Sequence, residues 1–185
     1  MLILGIDPGT AVTGYGVIRT GAQPVLVECG VIRTKPDRAL SARLKDISDG
    51  VRELLARHQP DAMAVEDVFY ARNVRTTIVL GHARGVILLA GADAGVAIHE
   101  YPPAEIKKAI TGAGNATKTQ VQFMITKLLR LKSAPQPADA ADGVAAALTC
   151  AMRQALTQAL TRAHAARTGA RPSARAGALT SRGPR

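Results

Sequence analysis

Residues 2–20, LILGIDPGTAVTGYGVIRT, hold an apolar run from Leu2 to Ile6 that ends on an acid, Asp7, and meets Pro8-Gly9-Thr10 at once. Pro and Gly in succession turn an extended chain back on itself, so LILGID reads as one strand and GYGVIRT as the next. TGAQ, residues 20–23, marks a second turn, and PVLVECGVIRT, residues 24–34, is a third apolar run. Connections this short join antiparallel neighbours. The expectation is a three-stranded meander with Asp7 at the rim of its first strand.

Beyond the meander, Leu40, Leu44, Ile47, Val51, Leu54 and Leu55 recur at three- and four-residue intervals, the mark of an amphipathic helix ending near His58. Asp61 to Glu66 reads as a short buried strand. A second helix runs from Asn73 to about Ala92, with Gly81 and Gly85 one turn apart among Ile78, Val86, Leu88 and Leu89, a surface that admits close backbone approach. Gly95 to Glu100 is another short strand. Pro102-Pro103 ends it and starts a short helix at Ala104, and a Gly-rich loop covers Thr111 to Thr117.

Val121, Met124, Ile125, Leu128 and Leu129 mark a third long helix, stopped by Pro135-Gln-Pro137. Pro137 suits the first turn of a last helix, whose apolar stripe of Val144, Leu148, Met152, Leu156 and Leu160 predicts burial along one face and fades near His164. Hairpins followed by alternating helices and strands give an α/β fold, a mixed sheet flanked by helices. The chain of 185 residues suits one globular domain, residues 1–163, with a tail over 164–185.

No uninterrupted apolar run approaches the roughly 20 residues of a membrane span, and MLILGID is too short and too quickly acidic for a signal peptide. A cytoplasmic protein without membrane attachment is expected. Cys29 and Cys150 have neither the number nor the spacing of a disulfide framework or zinc site, and read as ordinary buried residues. The 24 Lys and Arg against 14 Asp and Glu leave a net charge of +10, the sign of a protein that meets a polyanion. No acid follows Asp142, and Arg167, Arg171, Arg175, Arg182 and Arg185 stand among Ala, Gly, Ser and Pro. That composition predicts a disordered tail, which either adds salt-sensitive affinity for that polyanion or is simply solvated.

Four acids stand out. Asp7 and Glu66 each end an apolar strand, and such carboxylates sit side by side if the strands are neighbours. Asp139 and Asp142 lie three apart at the start of the last helix, on one face and near its positive pole. Singly, Asp7 also reads as a turn residue and the other two aspartates as ordinary first-turn acids. Glu66 is harder to set aside, because a carboxylate closing the run AMAVE needs a partner if buried. No Lys or Arg flanks the four positions closely in sequence, whereas a divalent cation neutralises several acids at once, and hard oxygen donors suit Mg²⁺ or Mn²⁺. Two such ions about 3.5–4 Å apart activate water and stabilise the leaving oxygen of a phosphodiester displacement.

LGIDPGTAVTGYGVI (4–18), AVEDVFYARN (64–73), LGHARGV (80–86) and PQPADAADGVAAALT (135–149) resemble, in order and spacing, the successive motifs of the RuvC family of Holliday junction resolvases. The resemblance covers roughly residues 1 to 160. It implies a ribonuclease H-like fold with a five-stranded mixed sheet, and Asp7, Glu66, Asp139 and Asp142 as ligands of the catalytic ions. It also implies a homodimer acting on four-way junction DNA by symmetrical nicks, with the helix from Asn73 to Ala92 as its dimer helix. A branch-migration complex of the RuvA and RuvB type is the implied delivery partner. An isolated GIDPGT is shared with actin-like kinases and ATPases; the other motifs are not.

VFYARNVR, residues 68–75, packs two of the five aromatics beside two arginines. Phe69 either plugs the core or, with Tyr70, stacks on an unpaired base while Arg72 and Arg75 hold phosphates; the resemblance favours stacking for Phe69. Lys107 and Lys118 bracket the Gly-rich loop and match basic family positions that hold DNA, although lysines there also suit a solvated helix face and a helix start. The loop lacks the order of a nucleotide-binding P-loop.

Three rivals remain. An actin-like ATPase or sugar kinase needs a second domain for which the chain has no room. A non-catalytic basic DNA-binding protein accounts for the charge of +10 but not for four acids that repel DNA. A related ribonuclease H-like nuclease acting on RNA or other branched DNA shares the same chemistry.

Overall fold

The computed structural model describes residues 1–67 and 74–168. Five strands, β1 (Leu2–Asp7), β2 (Val12–Arg19), β3 (Val25–Arg33), β4 (Ala62–Glu66) and β5 (Ala97–Tyr101), form one sheet in the order β3-β2-β1-β4-β5. β1, β2 and β3 are the antiparallel meander read from the sequence, and β4 and β5 add to β1 in parallel. The helices are α1 (Leu40–His58), α2 (Val74–Asp93), α3 (Pro103–Thr111), α4 (Lys118–Leu128) and α5 (Ala138–Thr168).

Strand alternation divides the core into two. Leu4, Ile6, Val17, Met63 and Val65 face α1 and α2, joining Ile47, Val51, Leu54, Ala83 and Ile87. Ile3, Ile18, Ala62 and Ala64 face the other way, against Ile106 and Ile110 of α3, Val121 and Ile125 of α4, and Val144 and Leu148 of α5. The α5 face of the sheet is unusually small-sided. A Cβ built at Gly5 would lie 2.2 Å from the carbonyl oxygen of Gly143, and one at Gly14 would lie 1.8 Å from that of Asp139. Backbone therefore meets backbone, and the first half of α5 carries buried Ala140, Ala141, Ala145, Ala146 and Ala147 to match.

The chain separates into a unit of Met1–Arg153 and a second of Gln154–Arg185. In the second, the described residues are the last turns of α5. Val144 and Leu148 of the expected stripe are buried, whereas Met152, Leu156 and Leu160 are exposed, which corrects the reading of one continuous buried face. A 31-residue helix is about 46 Å long and an eight-residue strand about 27 Å. One sheet face cannot cover the whole stripe. The expectation of a disordered tail falls mostly on residues 169–185, outside the described residues. Cys150 is buried as expected and Cys29 half-buried.

Candidate active site

The period of two along a strand decides where the first two acids point. Asp7 shares its face with Ile3 and Gly5, and Glu66 shares its face with Ala62 and Ala64; both faces look toward α5. β1 and β4 are parallel neighbours with Gly5 opposite Ala64 and Ile6 opposite Val65, so Asp7 and Glu66 stand at adjacent strand ends. The turn that follows Asp7 is braced. Thr13 Oγ1 donates to Gly9 O at 2.7 Å, Thr34 Oγ1 donates to Thr10 O at 2.6 Å, and Arg43 of α1 donates to the same carbonyl at 2.7 Å.

The other two acids arrive on α5. Ala140 N donates to Pro137 O, which closes the first turn, and the three-residue spacing of Asp139 and Asp142 sets both on the face that lies over β1 and β2. Carboxylate oxygens of Asp7, Asp139 and Asp142 lie within 4.8 Å of one another, each residue partly buried. Glu66 stands outside that trio but lines the same cavity of about 280 Å³ with Asp7 and Asp142.

Lys107 and Lys118 also line this cavity, and Pro103, Ile106, Val121 and Ala145 form its apolar wall. Lys118 Nζ donates to Asp142 Oδ2 at 2.8 Å. The acids thus have cationic company after all, 24 residues away in sequence. The absence of flanking Lys or Arg did not exclude it. The capping box of Thr117 and Gln120 starts α4 beside that contact and is the one local signal for the orientation of Lys118.

Sequence reasoning did not find Arg84. From α2 it approaches Asp67 Oδ1 at 3.2 Å and pairs with Glu100, tying the exits of β4 and β5 immediately after Glu66. Arg75 lies elsewhere, in a cleft of about 290 Å³ with Thr10, Thr76, Val79 and Leu80. Phe69, Tyr70 and Arg72 fall outside the described residues.

Burial raises Asp7 to about 8, with Glu66 and Asp142 adding repulsion and Lys118 opposing it. Burial likewise raises Glu66 to about 7, assisted by Asp142 and opposed by Lys118 and Lys107. The Lys118 ammonium is held above its ordinary value, first by its hydrogen bond to Asp142. Three hard oxygen donors this close, two of the site's acids reluctant to ionise alone, make a donor set that fits a divalent cation.

A pH dependence follows. A carboxyl whose folded pKa lies above its unfolded value stabilises the fold below the unfolded value, and that contribution is lost as pH rises through the folded one. Metal-free protein should therefore lose stability between about pH 4 and pH 8, and Asp7→Asn should flatten that decline. Thermal melts in EDTA measure both. A parent melting temperature that rises over this range, with Asp7→Asn following the same course, would contradict it.

A mixed sheet of this order, with acids gathered where β1, β4 and α5 meet, puts the chain in the ribonuclease H-like fold class. The family model for "Crossover junction endodeoxyribonuclease RuvC" matches residues 3–150. Curated relatives of that name include one from Desulforamulus reducens, 48% identical over 151 residues covering 80% of this chain and 91% of that protein. Another, from Halorhodospira halophila, is 51% identical over 146 residues, 79% of this chain and 87% of that protein. The chain belongs to the RuvC family of crossover junction endodeoxyribonucleases.

Solved structures agree. Thermus thermophilus RuvC superposes with a TM-score of 0.78 at 37% identity, covering 85% of this chain and 97% of that one. The same protein in complex with a Holliday junction substrate gives 0.80 at 37% identity, with 85% and 96% covered. The yeast mitochondrial resolvase Ydc2, at 14% identity and a TM-score of 0.65, shares the fold.

Proposed function

We propose that this chain resolves four-way DNA junctions by paired, symmetrical phosphodiester hydrolysis in the cytoplasm, with Asp7, Glu66, Asp139 and Asp142 as its catalytic carboxylates. The observation that carries this reading is the convergence of acids from β1 and α5 within 4.8 Å, with Glu66 of β4 in the same cavity. Mg²⁺ or Mn²⁺, two ions per site, would be held by these four side chains and would supply the activated water and the charge neutralisation at the leaving oxygen. Lys107 and Lys118 take phosphates of the bound strand. Phe69 and Tyr70 stack on unpaired bases at the branch point, and Arg72 and Arg75 hold the phosphates beside them. The nuclease reading is assigned to residues 1–163, and a branch-migration complex presents the junction.

Symmetrical nicking needs two sites, and α2 offers the surface for a homodimer. Val74, Ile78, Gly81, Gly85 and Leu89 fall on one stripe at three- and four-residue spacing, and all are exposed. A Cβ at Gly81 or Gly85 would meet nothing within 4 Å in the monomer, so this flat strip is shaped for a second backbone. Among the described residues α2 is also the helix long and apolar enough to cross a membrane; a protein partner on the stripe accounts for that composition without one. Gly85→Leu should leave the melting temperature of the monomer unchanged and shift micromolar sedimentation from dimer to monomer. A parent that sediments as a monomer would remove the paired-site reading.

The test of function is a nicking assay on a synthetic four-way junction, linear duplex and an RNA–DNA hybrid, with Mg²⁺, Mn²⁺ or EDTA. Paired nicks confined to the junction and dependent on the cation are expected. Preferential cutting of the hybrid would assign the chain to a different ribonuclease H-like activity.

A further inference from the structure

From Pro103 to Lys132 the chain carries Lys107, Lys108, Lys118, Lys127, Arg130 and Lys132 against a single acid, Glu105. Glu105 is itself paired with Arg153 at 2.7 Å. α3 and α4, which send Lys107 and Lys118 into the carboxylate cavity, also border a separate groove of about 480 Å³ lined by Thr111, Ala113, Ala116, Gln120, Phe123 and Met124. That volume falls in the range of small-ligand clefts. Phe123 is 59% exposed, and the Lys127 ammonium sits over its ring, 5.4 Å from the centroid.

Phe123 lies outside the buried face of α4, which is formed by Val121 and Ile125, so its ring is open to a ligand. The helix ends that border the groove are capped. The Thr117–Gln120 capping box fixes the start of α4, and Gly112 in the left-handed conformation ends α3, its N–H donating to Lys108 O. A base presents an apolar face to stack and a phosphate to pair, the combination that single-strand platforms use. The segment's net surplus of five cations, six against one acid, favours a polyanion over a peptide; Lys118 is already paired with Asp142, and Lys127 is the cation that stands at Phe123.

We infer that this groove binds an unpaired nucleotide of the strand held at the carboxylate cavity, with its base stacked on Phe123 and a phosphate met by Lys127. The inference rests on the junction-nuclease reading and adds a contact to it, outside the carboxylate cavity.

The chain contains no Trp, so Phe123→Trp introduces a single fluorescent reporter. Titrating the full-length variant with a four-way junction in EDTA should quench the indole emission and shield it from acrylamide. In parallel, Phe123→Ala should bind the junction about tenfold more weakly by anisotropy, the size of one lost stack, while Phe123→Tyr, which keeps a ring, binds as the parent does. Unchanged indole emission at saturating junction, or Phe123→Ala binding within twofold of the parent, would overturn the inference and return the groove to a protein partner. If the parent cuts the junction in Mg²⁺ while the indole stays unquenched, this contact alone fails; if the parent neither binds nor cuts, the junction reading fails with it.

Discussion

On the proposed cation-site reading, Asp7→Asn should lower junction cutting at least about a thousandfold, the equivalent of about 4 kcal/mol of lost charge stabilisation in the transition state. Asp7 is the acid for which the structure makes this sharpest. It is the residue raised furthest, to about 8, and its oxygens stand within 4.8 Å of those of both Asp139 and Asp142. The amide keeps the volume and removes the charge, so junction binding should stay close to that of the parent. Single-turnover cutting and anisotropy on the same junction separate the two effects. Cutting at the parental rate would remove Asp7 from the chemistry.

Gly14→Ala should be nearly as damaging, by a different route. The added Cβ would lie 1.8 Å from the carbonyl oxygen of Asp139, a backbone atom that no rotamer change can move. Either β2 or the start of α5 must shift, and overpacking of this kind costs roughly 2–3 kcal/mol, a melting temperature lower by about 5–10 °C. The displaced segment carries Asp139 and Asp142, so cutting and cation binding should fall together even at temperatures where the variant is folded. Gly21→Ala is the control. There the nearest atom is 3.6 Å away, and neither property should change. A Gly14→Ala protein with parental stability and activity would contradict the close packing of α5 on β2.

Much of this site is legible from the chain itself. The apolar runs LILGID and AMAVE, each closing on an acid, are enough to put Asp7 and Glu66 at strand ends, and the three-residue spacing of Asp139 and Asp142 is enough to align them on a helix; that β1 and β4 are neighbours with both acids on one face is seen only in the fold. What alternation cannot say is which helix lies over those strand ends. That is decided by Gly5, Gly14, Gly16 and Gly143, whose missing side chains let α5 approach to backbone contact; only the fold shows that these glycines lie at the contact between α5 and β1–β2. The pairing of Lys118 with Asp142 spans 24 residues, beyond any local rule. The Met152–Leu156–Leu160 stripe failed for a related reason. Periodicity reports that a helix has an apolar face, but not how much of it a partner surface covers. Arg84 and Phe123 belong to neither the core pattern nor the acidic set, and were visible only through their contacts.

The claim beneath all of this is that the four acids are a cation site and not a set of ordinary strand-end and helix-start residues. Calorimetric titration of the full-length protein with Mn²⁺ near pH 7, in two buffers of different ionisation heat, tests it most directly. With Asp7 near 8 and Glu66 near 7, binding at pH 7 must displace protons. The account predicts proton release that shrinks by about pH 9 and binding that is strongly weakened in Asp7→Asn. No Mn²⁺ binding at millimolar concentration, or equal binding by the parent and Asp7→Asn, would contradict it.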